Sequence, residues 1–302
     1  MENENNMQLS DLTLVIPAYN EEASLQQFLP ELLDFCENNG AKLVIVDDCS
    51  TDKTGEMLDK AASEHNCLQV HHHKVNRGYG GALISGLQFS QTRFSVTLDA
   101  DGQHRLEDVL NLFEKQQQTN ADLVVGCRKT DSGGGSGLYR ALGKKLIRFI
   151  AGKLVENLPI TDLNSGMKLY DTQLAQRYLK LCPDGMAFSE VLPLIFVQQK
   201  HLVTEAEITV APRRSGKSTI NTMTALDTML QIINIVMVFN PMRIFLPIGG
   251  VMILFGILWA IPFLLRGSGL SSVSMMAMTA GLLLIMMGLL AEQLAQIRKK
   301  DL

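Results

Sequence analysis

Residues 94–104 read FSVTLDADGQH. Val96 and Leu98 belong in a core, and the stretch reads as a buried strand that stops at two carboxylates, Asp99 and Asp101. Side chains at i and i+2 of an extended chain share a face. Gly102 beside them lets the backbone turn both acids toward one ligand. Oxygen donors of this kind suit a hard cation, Mg2+ or Mn2+, which is commonly held by one or two carboxylates and by substrate phosphates. Taken alone, the pair is equally a solvated turn that carries two acids. The surrounding chain has to decide.

Outward from this stretch, short apolar segments alternate with helical ones. LTLVIPAYN, KLVIVDDCSTD, LQVHHH and ADLVVGCRK read as strands. The spacing predicts helices over about 23–38, 54–65 and 106–118, and one that opens on the glycines of GYGGALISGLQFS. Strands separated by helices of ten or more residues predict an α/β domain with a mainly parallel sheet. Ligands of such sheets bind beyond the carboxyl ends of the strands. Three of those ends carry polar clusters, PAYNEE, VDDCSTD and DADGQH, which should converge on one crevice.

Further along, DSGGGSG at 131–137 reads as a mobile loop, since a glycine run holds no single conformation cheaply. YRALGKKLIRFIAGKLV then gives a basic amphipathic helix with Arg140, Lys144, Lys145 and Arg148. Its charges suit a solvated face or anionic lipid as well as an anionic substrate. TEAEITVAP looks like another strand. Residues 221–239, apolar, Met-rich and with one acid, suit a helix lying at a membrane surface, or a core helix of a soluble domain.

The C-terminal part differs in kind. Between Arg243 and Arg266 lie 22 uncharged residues, and between Arg266 and Glu292 another 25. At 1.5 Å per residue either run can cross a hydrocarbon core about 30 Å thick. Two transmembrane helices are therefore expected over about 244–265 and 272–291. Basic residues flank the pair (Arg213, Arg214, Lys217 and Arg243 before, Arg298, Lys299 and Lys300 after), and Arg266 alone lies between. The positive-inside bias puts both termini in the cytoplasm. MENENNMQLSD, polar and acidic, does not read as a secretory leader, so the chain before Arg243 is expected in the cytoplasm too. The expected organisation is a catalytic domain over 1–220, an interfacial helix over 221–242 and a membrane anchor over 243–302. The five cysteines show no metal-ligand spacing and read as reduced and structural.

VIPAYNEE, VDDCSTD, NRGYGGA and DADGQH, in that order on successive strand ends, resemble the family 2 inverting glycosyltransferases. VGCRK, DLNSGMK, RRSGKST and the two apolar runs narrow the resemblance to the polyprenyl-phosphate glycosyltransferases. It covers about residues 11–300. It implies a GT-A-like nucleotide-sugar-binding domain, followed by an interfacial helix and two transmembrane helices in an integral membrane protein. The implied reaction is inverting transfer of a hexosyl group from a nucleotide diphosphate sugar, of GDP-mannose or UDP-glucose type, to undecaprenyl or dolichyl phosphate. Pro17, Tyr19, Glu21, Asp47, Asp48, Asp99 and Ala100 would then line the donor site. Asp99, Asp101 and Gln103 would surround Mg2+ or Mn2+. Arg213 and Lys217 would close over the diphosphate. Arg128, Arg140, Ser165 and Lys168 would meet the acceptor phosphate, with Asp101, Arg128 and Arg140 as the catalytic set. Membrane lipid is an implied partner, nucleic acid is not, and a homotetramer is admitted.

The chain departs from that family pattern twice. Met167 and Lys168 stand where the family often has Phe-Arg, so the charge is kept and the bidentate fork lost. Thr219 stands where a lysine is usual, with Lys217 two positions earlier as a substitute. Other readings fit less well. AEITVAPRRSGKST lacks the first glycine of a phosphate-binding P-loop, since Ala211 is there. His71, His72 and His73 alternate faces in a strand and do not readily share one ion. A processive polysaccharide synthase would carry Gln-x-x-Arg-Trp, whereas the lone tryptophan is Trp259, inside an apolar run. A non-enzymatic membrane scaffold or flippase partner would tolerate loss of the acids, which are all present.

Overall fold

The computed structural model describes residues 9–128, 159–209, 230, 233–234 and 236–300. The chain divides into two compact units, parted near residue 231.

The first unit is built on a seven-stranded sheet. In chain order the strands are β1 (Leu12–Ala18), β2 (Lys42–Asp47), β3 (Leu68–His72), β4 (Phe94–Thr97), β5 (Leu123–Arg128), β6 (Lys168–Asp171) and β7 (Val203–Ile208). Across the sheet they run β3-β2-β1-β4-β6-β5-β7. β1, β2, β3 and β4 are mutually parallel, as are β5 and β7. β6 is antiparallel to both its neighbours, so the sheet is mixed. KLYD carries no period long enough to announce a strand, and sequence reading passes over it. It enters the sheet because β4 and β5 each leave it an edge.

The helices are α1 (Glu22–Asn39), α2 (Thr54–Glu64), α3 (Gly78–Phe89), α4 (Leu106–Thr119), α5 (Thr172–Tyr178) and α6 (Phe188–Gln198). Side-chain alternation sorts them onto two faces. Leu12, Leu14 and Ile16 of β1 join one core with Leu25, Phe28 and Leu32 of α1 and Val109 and Leu112 of α4. Val15 points the other way, onto α3 at Gly86, where a Cβ would strike it. Val44 and Val46 of β2 pack on Ala82 of α3. Tyr170 of β6 meets Phe196 of α6 at 5.8 Å between rings. α1 and α4 end on residues in the left-handed region, Gly40 (φ 73°) and Asn120 (φ 52°), the usual helix stop.

The second unit holds two long helices, α7 (Met242–Leu265) and α8 (Ser272–Lys300). The first begins within two residues of the expected start. The second runs on through Glu292 into the basic end. Both have the length and apolarity to cross a membrane, and most of their surface is exposed. They approach closely at glycines. A Cβ on Gly281 would stand 2.6 Å from the Gly249 carbonyl oxygen, and one on Gly256 would stand 2.7 Å from Met278 Cγ. Small residues are what lets two apolar helices pack backbone to backbone. Of the expected interfacial helix over 221–242, residues 230, 233–234 and 236–242 are described; those up to 239 are helical, the helix is broken at Asn240 and Pro241, and Met242 already belongs to α7. The glycine run at 131–137 and the basic helix after it lie outside the described residues.

Candidate active site

Strand order reverses at β1, which has β2 on one side and β4 on the other. Loops leaving neighbouring strands in opposite directions open a crevice at such a point. The loops after β1 and β2 are stitched together there. Asn20 donates its N–H to Ser50 Oγ (3.0 Å), Thr51 donates to Asn20 Oδ1 (2.8 Å), and Glu21 donates to Thr54 Oγ1 (3.0 Å). Asn20 and Cys49 hold positive φ, at 53° and 62°. Tyr19 is exposed at the rim, Glu21 is half-buried and Pro17 is buried in β1.

Asp47 and Asp48 are buried and already bonded to the protein's own donors. Asp47 accepts from Ser50 N (3.0 Å) and meets His72 Nδ1 (2.8 Å). Asp48 meets His73 Nδ1 (2.6 Å) and accepts from the backbone N–H groups of Arg77 (2.8 Å) and Gly78 (2.7 Å). It thus answers donors left open at the N-terminus of α3, where a negative charge is favoured. The three histidines part as strand alternation requires. His71 stacks on Phe89 at 3.4 Å, His72 bridges Asp47 and Asp59, and His73 bridges Asp48 and Ser85. Burial would lower the His72 pKa, but hydrogen bonds to Asp47 and Asp59 outweigh it and raise it.

The strand of FSVTLDADGQH ends earlier than expected. β4 stops at Thr97, where its ladders with β1 and β6 both run out. Leu98 gives one further bond to Val15 O (3.0 Å), and the chain then turns. Asp99 and Asp101 therefore sit on a turn, not on an extended strand. Gly102 takes φ 66° there, and Asp101 Oδ1 accepts from Gln103 N (3.1 Å). Asp99 Oδ1 accepts from the Tyr79 hydroxyl (2.9 Å), and Asp99 N donates to His104 Nδ1 (3.4 Å). Ala100 is buried beneath the turn.

Behind the turn lies a charged cluster. A Cβ on Gly166 would stand 2.9 Å from Asp99 Cγ, so the backbone there approaches the carboxylate as only glycine allows. Arg128, at the end of β5, grips Asp162 with two bonds, Nε to Oδ2 (2.6 Å) and Nη2 to Oδ1 (2.8 Å). Burial would raise the Asp162 pKa, but the bonds and charge of Arg128 outweigh it and hold it low. Ser165 is buried, and its carbonyl oxygen accepts from Lys168 Nζ. Lys168 is itself buried, on the face of β6 that meets α6. Burial pulls its ammonium down to about 8, against the attraction of Glu190, Asp162 and Asp99. Burial pushes Glu190, on α6, up to about 7, against the attraction of Lys168.

The structure thus gathers Asp99, Asp101, Gln103, Arg128, Ser165 and Lys168 around one crevice end, with Tyr19 and Glu21 on the neighbouring loop. Arg140, Arg213 and Lys217 lie outside the described residues. Sequence reading missed Asp162, Glu190 and Tyr79. Asp162 and Tyr79 stood inside motifs already noted, DLNSGMK and NRGYGGA. Glu190 was signalled only as a lone acid in the apolar run FSEVLPLIF.

The acids fit a hard cation of one kind. Among the described residues no group of three or more His, Cys, Asp or Glu side chains comes together to hold a metal. Two carboxylates and the Gln103 amide would leave most of a coordination shell to water and substrate phosphate, which is how Mg2+ is usually held.

Residues 13–179 match the family described as glycosyl transferase family 2, and residues 240–297 match the GtrB C-terminal hairpin. The chain is 29% identical to the undecaprenyl-phosphate 4-deoxy-4-formamido-L-arabinose transferase of Pseudomonas paraeruginosa, over 95% of this chain and 85% of that one. It is 30% identical to the undecaprenyl-phosphate mannosyltransferase of Micrococcus luteus, over 68% of this chain and 85% of that one. Its fold is shared with glucosyl-3-phosphoglycerate synthase from Mycobacterium tuberculosis, solved with Mn2+, UDP-glucose and phosphoglyceric acid. That likeness has a TM-score of 0.56 at 16% identity, over 78% of this chain and 85% of that one.

Proposed function

Since the chain belongs to glycosyl transferase family 2, we propose that it transfers a hexosyl group from a nucleotide diphosphate sugar to a polyprenyl phosphate, with inversion. Both relatives named above carry undecaprenyl phosphate in their names, which supports the acceptor. The observation that carries the reading is the paired acids, Asp99 and Asp101, at the carboxyl end of β4, with the Arg128 guanidinium near Asp99. Anionic groups for a cation and cationic groups for an anion stand at one crevice end. A transfer between two phosphorylated substrates needs both.

The acceptor chemistry explains which groups are absent from the scheme. A sugar hydroxyl must lose a proton on attack and calls for a general base. A lipid monophosphate has a second pKa of about 6, by analogy with phosphoserine, and is largely dianionic at neutral pH. Its oxygen forms the new bond to the anomeric carbon, the bond to the diphosphate oxygen breaks, and the electron pair departs with the nucleoside diphosphate. The chain's part is to orient both phosphates. Tyr19 and Glu21 flank the nucleoside, with Pro17 beneath them. Asp47 and Asp48 shape that loop through their bonds to Ser50, His72, His73 and the α3 N-terminus. Asp99, Asp101 and Gln103 would hold Mg2+ or Mn2+, which when bound neutralises charge on the leaving diphosphate. Mn2+ accompanies UDP-glucose in the mycobacterial neighbour, which agrees with this choice. Arg128, Arg140, Ser165 and Lys168 meet the acceptor phosphate, and Arg213 and Lys217 close over the donor.

α7 and α8 would anchor the enzyme in the membrane, where a water-insoluble acceptor presents its phosphate. With Arg243 before them, Arg298–Lys300 after them and Arg266 alone between, both ends face the cytoplasm. A thermal-shift screen of UDP- and GDP-sugars with Mn2+ tests the donor half of the reading. The true donor raises the melting point, because it binds the folded state alone. No shift with any nucleotide sugar would contradict it.

A further inference from the structure

NRGYGGA is the one strand-end motif to which no substrate contact has been given, yet its tyrosine reaches the acid turn. We infer that Tyr79 is a positioning residue: its hydroxyl, held on α3, aims the Asp99 carboxylate at the cation and the donor diphosphate. This rests on the reading of Asp99 and Asp101 as the metal-holding pair.

The bond itself is short and directional, 2.9 Å from Tyr79 Oη to Asp99 Oδ1. A phenol keeps its proton at neutral pH, so the hydroxyl donates and the carboxylate accepts. On its other side Asp99 meets the Gly166 backbone, where a Cβ would come 2.9 Å from its Cγ. Gly166 is in turn tied down, because its carbonyl oxygen accepts from Thr97 Oγ1 (2.8 Å). The carboxylate is clamped from two sides, and Oδ1 is engaged by the phenol while Oδ2 lies toward Gly166.

The clamp works because the start of α3 is anchored from two sides. Asp48 accepts from Arg77 N and Gly78 N, and Gly81 N donates to Asp184 O (2.9 Å). Gly80 lies so close to the turn before α6 that a Cβ would stand 2.8 Å from the Asp184 carbonyl carbon. The glycines of NRGYGGA therefore let α3 seat deeply, and that seating delivers the tyrosine. Loops of β2 and β4, joined by no direct bond between Asp48 and Asp99, are coupled through one helix end.

The test is Mn2+ affinity in the full-length protein in detergent, with UDP and GDP as probes, read by the paramagnetic signal of free Mn2+. Tyr79→Phe keeps the ring and removes the hydroxyl. A lost hydrogen bond to a charged group predicts about a tenfold or larger loss of Mn2+ affinity, with the melting point unchanged. Gly166→Ala, which forces Asp99 aside while leaving Tyr79 in place, predicts the same loss. Wild-type Mn2+ affinity in Tyr79→Phe would overturn the positioning role, whatever Gly166→Ala shows. Equal Mn2+ affinity in wild type and Asp101→Ala would instead sink the metal reading beneath it, so the two failures are distinguishable.

Discussion

Asp48 is a carboxylate that a sequence reader assigns to substrate, and in the fold it also accepts bonds from the protein's own donors. Its bonds to His73, Arg77 N and Gly78 N bind β2 to the start of α3. Asp162 is the reverse case, unremarked in the sequence yet doubly bonded to Arg128. Asp162→Asn keeps the shape and breaks the charged fork. It should cost about 1–3 kcal/mol of stability in denaturant unfolding and lower transfer through the freed Arg128. Wild-type stability and activity together would show that the pair is incidental. The acid pair, the DLNSGMK lysine and the β5 arginine were all legible as residues. Their partners were not, because Tyr79, Asp162 and Glu190 are brought to them by packing between elements far apart in the chain.

At the scale of elements, β4 ends sooner than its apolar run suggests, while the helices between parallel strands could be read from the sequence to within a residue or two, and the strands by their starts. β6 could not. Four residues with one antiparallel neighbour on each side have no period to show, and their strand character comes from β4 and β5. That strand matters, because it turns Lys168 and Tyr170 toward α6 and so places Lys168 near Glu190. Folding raises the Glu190 pKa from its usual 4.5 to about 7. The stability this group contributes is complete below about pH 4.5 and is lost as the pH rises through about 7. Lys168 runs oppositely. Its lowered pKa favours the fold above its usual 10.5, and that contribution is lost as the pH falls through about 8. Glu190→Gln should therefore flatten the decline in melting temperature between about pH 4.5 and 7, an effect on the order of 1 kcal/mol or more. An unchanged slope would place the proton elsewhere. In the helical hairpin, Gly281→Leu should separate α7 from α8, since even a Cβ there meets the Gly249 carbonyl oxygen. Native hairpin packing in that variant, measured by cross-linking across the two helices, would count against the close approach.

For the whole molecule, the division of labour follows composition. A mixed α/β unit with polar strand ends supplies the chemistry, and an apolar pair of helices supplies a place for it. The charge-free runs made the pair plain in the sequence, and the structure extends the first helix by two residues and the second into the basic end. A chain ending near residue 220 should keep nucleotide-sugar binding but lose transfer to long-chain polyprenyl phosphate while retaining some transfer to a short, soluble analogue. Equal activity on the long-chain lipid would contradict the anchor role. The most direct test of the central claim is sugar transfer itself. Membranes carrying the full-length chain are given undecaprenyl phosphate, Mn2+ and radiolabelled UDP- or GDP-sugars, with Asp101→Ala alongside. The account predicts a labelled glycosyl phospholipid with one of these donors in wild type and at least a hundredfold less in the variant, the order of effect that losing electrostatic stabilisation of the leaving group brings. Equal product from both chains, or none from wild type with any donor, would contradict it.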